Sequence, residues 1–240
     1  MSIKATYVDH MGSDLSVVNA ARVSFGKKSE AVEWGWLDIG DRSGELVAIL
    51  DERDTKLIKY LADHKHYSPF GHCFASFHIK APIFVARQLV KHEYLRMNEI
   101  SRRYVDSEPE FYVPDVWRGR SKDKKQGSDG VITTSCVVDL DGEYTHPRFA
   151  SDDVNKTALV IYKRMIGASV AHEMARMVLP QSMYTEWYWS GSMDAFANMC
   201  NLRLKEDTQY ETRLVAQQID KVMKDLYPVS WSALVGEETK

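Results

Sequence analysis

The sequence contains few cysteines and no long apolar run. The three cysteines, Cys73, Cys136 and Cys200, are widely separated, so they form neither a CxxC metal-binding pair nor a disulfide framework. No run of about eighteen apolar residues occurs, and we therefore expect no membrane-spanning helix. Residues 1–14 contain no apolar signal region, which favours a cytoplasmic protein.

An excess of basic charge is also absent. Lysine and arginine together number 31 against 34 acidic residues, which gives a net charge of −3. Domains that bind nucleic acid usually carry a dominant basic field, so this balance argues against that class. The chain is 44% hydrophobic and 27% charged, as is typical of soluble globular proteins. Its 240 residues suffice for one sizeable core, and we interpret residues 1–240 as a single domain.

The most informative segment runs from Gln88 to Tyr104. Two acids, Glu93 and Glu99, are interleaved there with five basic residues, namely Lys91, His92, Arg96, Arg102 and Arg103. Because the guanidinium fork of arginine matches phosphate geometry, we interpret this segment as an anion site. Two alternatives stay open. The charges could be a solvated helix end with surface ion pairs, or a nucleic-acid patch, against which the interleaved acids argue.

The residues before this segment predict how it is held. The apolar-rich run 74–79 predicts a strand, and Pro82 is expected as the first residue of a helix over 83–90. Gln88, Lys91 and His92 are spaced i, i+3 and i+4, so a helix continuing through them would place them on one face.

Helical periodicity recurs along the chain. It predicts a helix over 14–22 capped by Asp14, and one over 55–64 capped by Asp54 or Thr55. It also predicts a long helix over 155–179 that Pro180 ends, and helices over 194–204 and 206–226. Trp187 and Trp189 are expected in a connection, and residues 117–131 in an exposed loop. Strands do not alternate with helices, so the expected class is a helix-rich α+β fold.

Several segments resemble the motifs of the flavin-dependent thymidylate synthases. That family's signature is roughly Gln-x-x-Arg-His-Arg, seven residues, then Ser-x-Arg-Tyr. The residues in register with it are Gln88, His92, Asn98, Glu99, Ser101, Arg103 and Tyr104. Further segments that resemble the family are 19–25, 66–72, 175–180 with 184–185, and 198–211 with Gln209 and Glu211. Ordered matches of this kind are more specific than any single motif.

The resemblance implies a fold and a reaction. The fold is a single α+β domain with a central, mainly antiparallel sheet flanked by helices, and segments 27–41 and 117–146 are expected to be variable loops. The reaction is the methylation of dUMP to dTMP. Methylenetetrahydrofolate donates the carbon, reduced FAD donates the hydride, and NADPH reduces the flavin. None of the cysteines lies in the Pro-Cys-His context of the other thymidylate synthases. The resemblance also implies a homotetramer with shared active sites, and no metal.

The resemblance further implies the roles of individual residues. Arg203 is the catalytic residue, because a fixed cation would stabilise negative charge on the uracil ring, and His66 lies near the flavin and folate. The residues implied to bind dUMP are Gln88 (from a neighbouring subunit), Lys91, Glu99, Ile100, Ser101, Arg102, Arg103, Arg176 and Arg203. The residues implied to bind FAD are Ser68, Lys91, His92, Glu93, Glu99, Ser192, Asp194 and Asn198.

Structural roles are open for some of these residues. Arg176 could complement a helix dipole, and Arg203 could pair with Glu206 or Asp207. A metal pair of His66 and His72 is a weak signal, because no third ligand lies nearby in sequence.

The chain departs from the family pattern on the flavin side. The family usually has arginine at Lys91 and Glu93, and some members have asparagine and arginine at Ser192 and Asp194. Glu93 and Asp194 therefore reverse charge, which predicts weaker binding of the diphosphate-adenosine half of FAD. A nucleotide-binding homologue that has lost turnover is the main functional alternative.

Overall fold

The computed structural model describes residues 2–39, 42–105, 107–122, 127–139 and 141–236. Residues 40–41, 123–126 and 140, which belong to the two segments expected to be variable loops, lie outside the described residues. The central layer is a four-stranded sheet with the order β1-β4-β10-β5, and all its neighbours are antiparallel. Its strands are β1 (Lys4–Met11), β4 (Phe74–Pro82), β5 (Leu95–Glu99) and β10 (Tyr184–Ser192).

Helices cover one face of this sheet and surround its edges. They are α1 (Asp14–Arg22), α2 (Glu52–Asp63), α3 (Ile83–Leu89), α4 (Pro147–Gly167), α5 (His172–Ala175), α6 (Met193–Arg203), α7 (Tyr210–Leu226) and α8 (Pro228–Val235). Single 3₁₀ turns lie at Val23–Phe25, Phe70–His72 and Arg176–Val178. The expected α+β class with a central antiparallel sheet is confirmed.

Alternating side chains on β4 and β10 build the core. Phe77 and Ile79 point to the helical face and lie opposite Trp189 and Trp187 in the strand register, and all four are buried. Phe196 of α6 packs edge-on against Phe77 and Trp189. The prediction that the two tryptophans lie in a connection was therefore wrong. They occupy alternate positions of a strand, where large aromatic side chains cover the pleated surface.

Two helix caps differ from the expectation. Ser13, not Asp14, caps α1, and Asp51, not Asp54 or Thr55, caps α2 by accepting from the Asp54 backbone N–H. The Asp14 carboxylate instead accepts the backbone N–H groups of Val229 and Ser230, both at 2.9 Å. It thereby satisfies two unpaired donors in the first turn of α8, a distant contact that no local pattern contains.

The long helical pattern over 155–179 is interrupted. α4 begins earlier, at Pro147, and ends at Gly167, and Ser169 then takes a left-handed conformation with φ 62° before α5. The helix predicted over 206–226 starts later, at Tyr210, ends at Leu226 as predicted, and is followed by α8.

Both segments expected to be loops contain strands. The first contains β2 (Glu33–Ile39), which pairs with β3 (Arg42–Ile49) beyond the segment. The segment after Trp117 forms β6 (Arg118–Arg120) with β7 (Ser128–Val131), and β8 (Val137–Val138) with β9 (Tyr144–Thr145). Within the described ranges, no helix is both long and apolar enough to cross a membrane.

The helix before the polar cluster ends sooner than predicted. Pro82 is the N-cap residue of α3 and not its first helical residue, and α3 stops at Leu89. Lys91 and His92 therefore lie in the following turn, which Tyr94 closes with a positive φ of 63°. The chain then enters β5 and pairs with β10. The prediction that Gln88, Lys91 and His92 share a helix face was wrong, because β10 offers a free edge that extends the sheet.

Candidate active site

A guanidinium group, an imidazole and a backbone carbonyl meet where α3 and α6 end. Arg203, the last residue of α6, donates from Nε to His92 Nε2 at 3.0 Å and from Nη2 to the Gln88 carbonyl oxygen at 3.3 Å. Two hydrogen bonds in different directions fix the plane of the guanidinium group. Neither Glu206 nor Asp207 pairs with Arg203 among the described contacts, so the structure assigns Arg203 to this cluster.

His92 is an acceptor in this cluster. Partial burial, and after it the charge of Arg203, lower the pKa of His92 to about 4. The ring is therefore neutral near pH 7, and its Nε2 lone pair is free to accept from Arg203. Burial also lowers the pKa of Arg203 from its usual value, but an arginine stays protonated in proteins. The pair thus carries one positive charge, on a guanidinium group whose orientation is fixed.

Both ends of the Gln88 side-chain amide are held by α7 and the residue before it. Gln88 Nε2 donates to Gln209 Oε1, and Gln88 Oε1 accepts from Thr212 Oγ1 at 3.1 Å. Thr212 is fully buried. The amide is therefore held in one orientation beside Arg203.

Of these residues, Gln88, Arg203 and Gln209 line a cavity of about 740 Å³, which is the size usual for small-molecule sites. Lys91 and Arg203 supply positive charge to its wall, and Phe84, Tyr112 and Trp117 supply aromatic surface. Such a cavity suits a planar, anionic ligand. Of the residues predicted to bind dUMP, it brings together Gln88, Lys91 and Arg203.

Sequence reasoning missed a second group on the same wall. Tyr112 OH donates to Glu211 Oε1 at 3.1 Å, and Arg118 Nη2 donates to the same oxygen at 2.5 Å. Burial raises the pKa of the Glu211 carboxyl, but the hydrogen bond and charge of Arg118 outweigh burial and lower it overall. Glu211 lay within a matching motif. Arg118, in a segment interpreted as an exposed loop, carried no signal.

A separate cavity of about 460 Å³ lies where β5 begins and β10 ends. Its wall includes Ser192 and Asp194, two of the predicted FAD residues, together with Arg96 and Tyr94. Asp194 Oδ1 is buried and accepts no hydrogen bond from the described residues. This oxygen is an acceptor that a ligand hydroxyl or amine can satisfy.

The remaining predicted residues line neither of these cavities. Glu99 ends β5 and accepts from Thr185 Oγ1 at 2.6 Å. In the loop beyond, Arg103 Nε donates to Ser101 Oγ at 3.2 Å, and Arg102 donates to the Ser107 carbonyl oxygen. Ile100 lies between them with its backbone N–H bonded to the Glu186 carbonyl oxygen.

Other predicted residues are exposed on separate elements. Arg176 donates to the Glu173 carbonyl oxygen at 3.3 Å at the start of a 3₁₀ turn, and Asn198 faces outward from α6. His66 and Ser68 lie between α2 and the next 3₁₀ turn, and Glu93 lies in the turn after α3. The single chain therefore does not bring these residues to the cavity of Arg203.

The buried cysteines are poor nucleophiles. Burial raises the pKa of Cys73 to about 12, and burial raises the pKa of Cys200 well above its usual value. The thiolate is the reactive form, so neither buried residue is ionised near neutral pH. Cys136 is exposed on the segment before β8 and lines neither cavity.

Comparison with known proteins identifies the family of this chain. The family model described as "Thymidylate synthase complementing protein" matches residues 6–229. The flavin-dependent thymidylate synthase of Kosmotoga olearia is 40% identical over 229 residues, which cover 95% of this chain and 88% of that protein. The flavin-dependent thymidylate synthase of Thermus thermophilus is 36% identical over 226 residues, which cover 94% and 73%.

A solved structure shares the fold. The UMP/dUMP methylase PolB from Streptomyces cacaoi, bound with 5-Br UMP, superposes with a TM-score of 0.76 at 29% identity and covers 98% of this chain and 95% of its own. Because the family model and the relatives span almost the whole chain, this protein belongs to the thymidylate synthase complementing protein family, that of the flavin-dependent thymidylate synthases.

Proposed function

We propose that this protein is a methyltransferase of the flavin-dependent thymidylate synthase type, which converts dUMP to dTMP. Methylenetetrahydrofolate supplies the carbon, and NADPH supplies the reducing equivalents. One observation supports this proposal most directly. Arg203 is fixed by His92 and by the Gln88 carbonyl oxygen in the wall of a cavity of nucleotide size.

Arg203 activates the uracil ring without a covalent bond to the protein. Attack on the folate carbon requires an electron-rich C5, and the negative charge that accompanies it spreads over N3 and the ring carbonyls. A preorganised cation at that position stabilises the charge in a site of low dielectric constant. The neutral His92 ring holds the guanidinium group in place and adds no competing charge. The raised pKa of each buried thiol fits a mechanism without a cysteine nucleophile.

Phosphate binding is assigned to the other predicted group. Ser101, Arg103 and Arg176 offer a hydroxyl and two guanidinium groups, which are the donors that phosphate prefers. The backbone of Ile100 and Arg102 and the carboxylate of Glu99 complete the set predicted for dUMP. Gln88, Lys91 and Arg203 bind the nucleotide from the other side.

The residues of the second cavity fit the adenosine diphosphate half of FAD. The unpartnered Oδ1 of Asp194 can accept a ribose hydroxyl or the adenine amine, and Arg96 offers a cation to the diphosphate. Ser192 lies on the same wall. We assign FAD binding also to the other residues of the predicted set, namely Ser68, Lys91, His92, Glu93, Glu99 and Asn198. We place His66 near the flavin and folate. When bound, reduced FAD supplies the hydride that completes the methyl group.

We assign a homotetramer to the active enzyme, with each site built from more than one subunit. The residues predicted to bind dUMP fall into two groups on different parts of one chain, which supports a site to which two copies contribute. Apolar side chains of α4 stand exposed, among them Phe149, Val154 and Ile161. Such surface usually marks an interface. We place the enzyme in the cytoplasm, where these nucleotides are made.

Product formation tests the proposal. Purified protein is mixed with FAD, NADPH, methylenetetrahydrofolate and dUMP, and dTMP is measured by mass spectrometry. We expect dTMP from the native protein, and a loss of at least about a hundredfold in Arg203→Ala. The matched control is Arg213→Ala, since Arg213 lies on α7 and does not line the cavity; within the described part of the chain it donates to the Glu206 carbonyl oxygen and lies over the Tyr210 ring.

The alternatives predict different results. A homologue that has lost turnover would bind dUMP tightly and form no dTMP, and that result would overturn the proposal. A nucleic-acid-binding module would bind DNA or RNA with a steep dependence on salt. The net charge of −3 makes that result unexpected.

A further inference from the structure

The hairpin of β6 and β7 forms one wall of the Arg203 cavity. Trp117, Arg118, Gly127 and Ser128 line the cavity from this side. Gly127 has a φ of +89°, and a Cβ atom there would lie 3.1 Å from the Asp207 carbonyl oxygen. The strand pair thus lies close to the loop before α7, and a side chain at position 127 would crowd that loop. It belongs to a segment outside the motifs that characterise the family, so those motifs give it no role.

Arg118 joins this hairpin to the first turn of α7. Its Nη2 donates to Glu211 Oε1 at 2.5 Å, its Nε donates to Ser128 Oγ at 2.9 Å, and its guanidinium group lies 4.9 Å from the centre of the Tyr210 ring. The Glu211 side chain is only 3% exposed, and removing the cationic partner of a buried carboxylate strongly destabilises the folded protein. Arg118 therefore determines where the start of α7 lies.

The same turn of α7 holds the Gln88 amide. Gln209 and Thr212 flank Tyr210 and Glu211, and they bond the two ends of that amide. The Gln88 carbonyl oxygen then accepts from Arg203. A continuous chain of contacts runs from the hairpin through α7 to the catalytic arginine.

We propose that Arg118 is a positioning residue of the thymidylate synthase reaction, which acts through α7 on Gln88 and sets the nucleotide affinity of the Arg203 cavity. This inference rests on the proposed function. Arg118 lines the cavity, but its described hydrogen bonds go to the protein groups Ser128 Oγ and Glu211 Oε1, so the proposed effect on the nucleotide passes through Gln88. The hairpin is accordingly part of the active site of this chain.

A double-mutant cycle with Gln88 tests this role. The dissociation constant of dUMP is measured by calorimetry for the native protein, Arg118→Ala, Gln88→Ala and the double variant. We expect Arg118→Ala to weaken binding by about tenfold or more, since it removes a charged hydrogen bond. In the Gln88→Ala background, the same change should have little further effect, because two residues that act through one contact are not additive.

Two further variants separate positioning from general destabilisation. Arg118→Lys keeps the charge opposite Glu211 and should recover part of the affinity. Arg120→Ala changes an exposed arginine of the same hairpin and should leave dUMP binding unchanged. Additive effects in the cycle, or equal losses in Arg118→Ala and Arg120→Ala, would overturn the inference. If Arg118→Ala does not fold, the cycle is run with Arg118→Lys, and the same additive result would overturn it.

Failure of this inference is distinguishable from failure of the proposed function. A native protein that makes no dTMP contradicts the function. A native protein that makes dTMP and shows an additive cycle contradicts only the role of Arg118.

Discussion

Replacing Arg203 with glutamine should change the titration of His92. Arg203 Nε donates to His92 Nε2 at 3.0 Å, so a proton on that nitrogen would place two cations in contact. Burial is the larger cause that lowers the pKa of His92 to about 4, and the charge of Arg203 is the second. Arg203→Gln removes the charge and keeps most of the side-chain volume. We therefore expect the pKa of His92 to rise and yet to remain below its usual value of 6.5.

The lowered pKa of His92 also makes the stability of the protein depend on pH. Lowering a pKa from 6.5 to about 4 corresponds to at most about 3.4 kcal/mol, and solvent around the half-buried ring reduces this to about 1–2 kcal/mol. In the unfolded chain, His92 binds a proton below pH 6.5, whereas the folded chain does so only near pH 4. This contribution is complete above pH 6.5 and is lost as the pH falls towards 4.

Two assays measure these effects. NMR titration of labelled histidines gives the pKa of His92 in the native protein, in Arg203→Gln and in Arg203→Lys, with His92→Gln to assign the signal. Arg203→Lys retains the charge and should stay near the native pKa. Urea unfolding at pH 7 and pH 5 should show the native protein losing about 1 kcal/mol more than His92→Gln. The reasoning is refuted if native His92 titrates at 6.5 or above, or if Arg203→Gln leaves its pKa unchanged.

Two further predictions concern the flavin and the assembly. Glu93→Gln and Asp194→Asn each remove a negative charge from the predicted flavin side, so we expect each variant to bind FAD roughly two- to fivefold more tightly in fluorescence titrations. The control is Glu30→Gln. Unchanged FAD affinity in both variants would contradict the prediction that these two acids weaken flavin binding. Gln88→Ala and Arg103→Ala should each abolish synthase activity. If sites are shared, unfolding the two variants together and refolding them should restore on the order of a quarter of the native activity. A refolded mixture as inactive as either variant would exclude shared sites.

Local patterns predicted much of this fold. Helix α6 and strand β4 lie within one to three residues of the predicted bounds, because their apolar spacing matches the buried face that they form. The predictions failed where distant partners decide the structure. Leu95–Glu99 is polar enough to be taken for a loop, yet it becomes a strand because β10 offers a free edge. Trp187 and Trp189 lie in a strand because β10 pairs with β4, which is distant in the sequence.

The candidate site divides in a similar way. The family motifs indicated Gln88, His92 and Arg203, and the structure brings these three together. The motifs gave no indication of Arg118, because its role depends on an ion pair with Glu211, 93 residues away in the chain. A long-range contact between a variable hairpin and a helix has no local sequence signal.

The position of β5 explains why the continuous motif from Gln88 to Tyr104 supplies predicted dUMP-binding residues at two separate positions of one chain. Gln88 and Lys91 precede this strand, and Ser101 and Arg103 follow it. A strand of the five residues Leu95–Glu99 spans about 16 Å, and its pairing with β10 keeps it straight. The two ends of the motif are therefore held apart within one chain. If both ends bind dUMP, as the motif predicts, then each nucleotide has to lie between one end from one subunit and the opposite end from another. The strand that separates the two halves of the motif is thus the physical reason to expect an oligomeric enzyme.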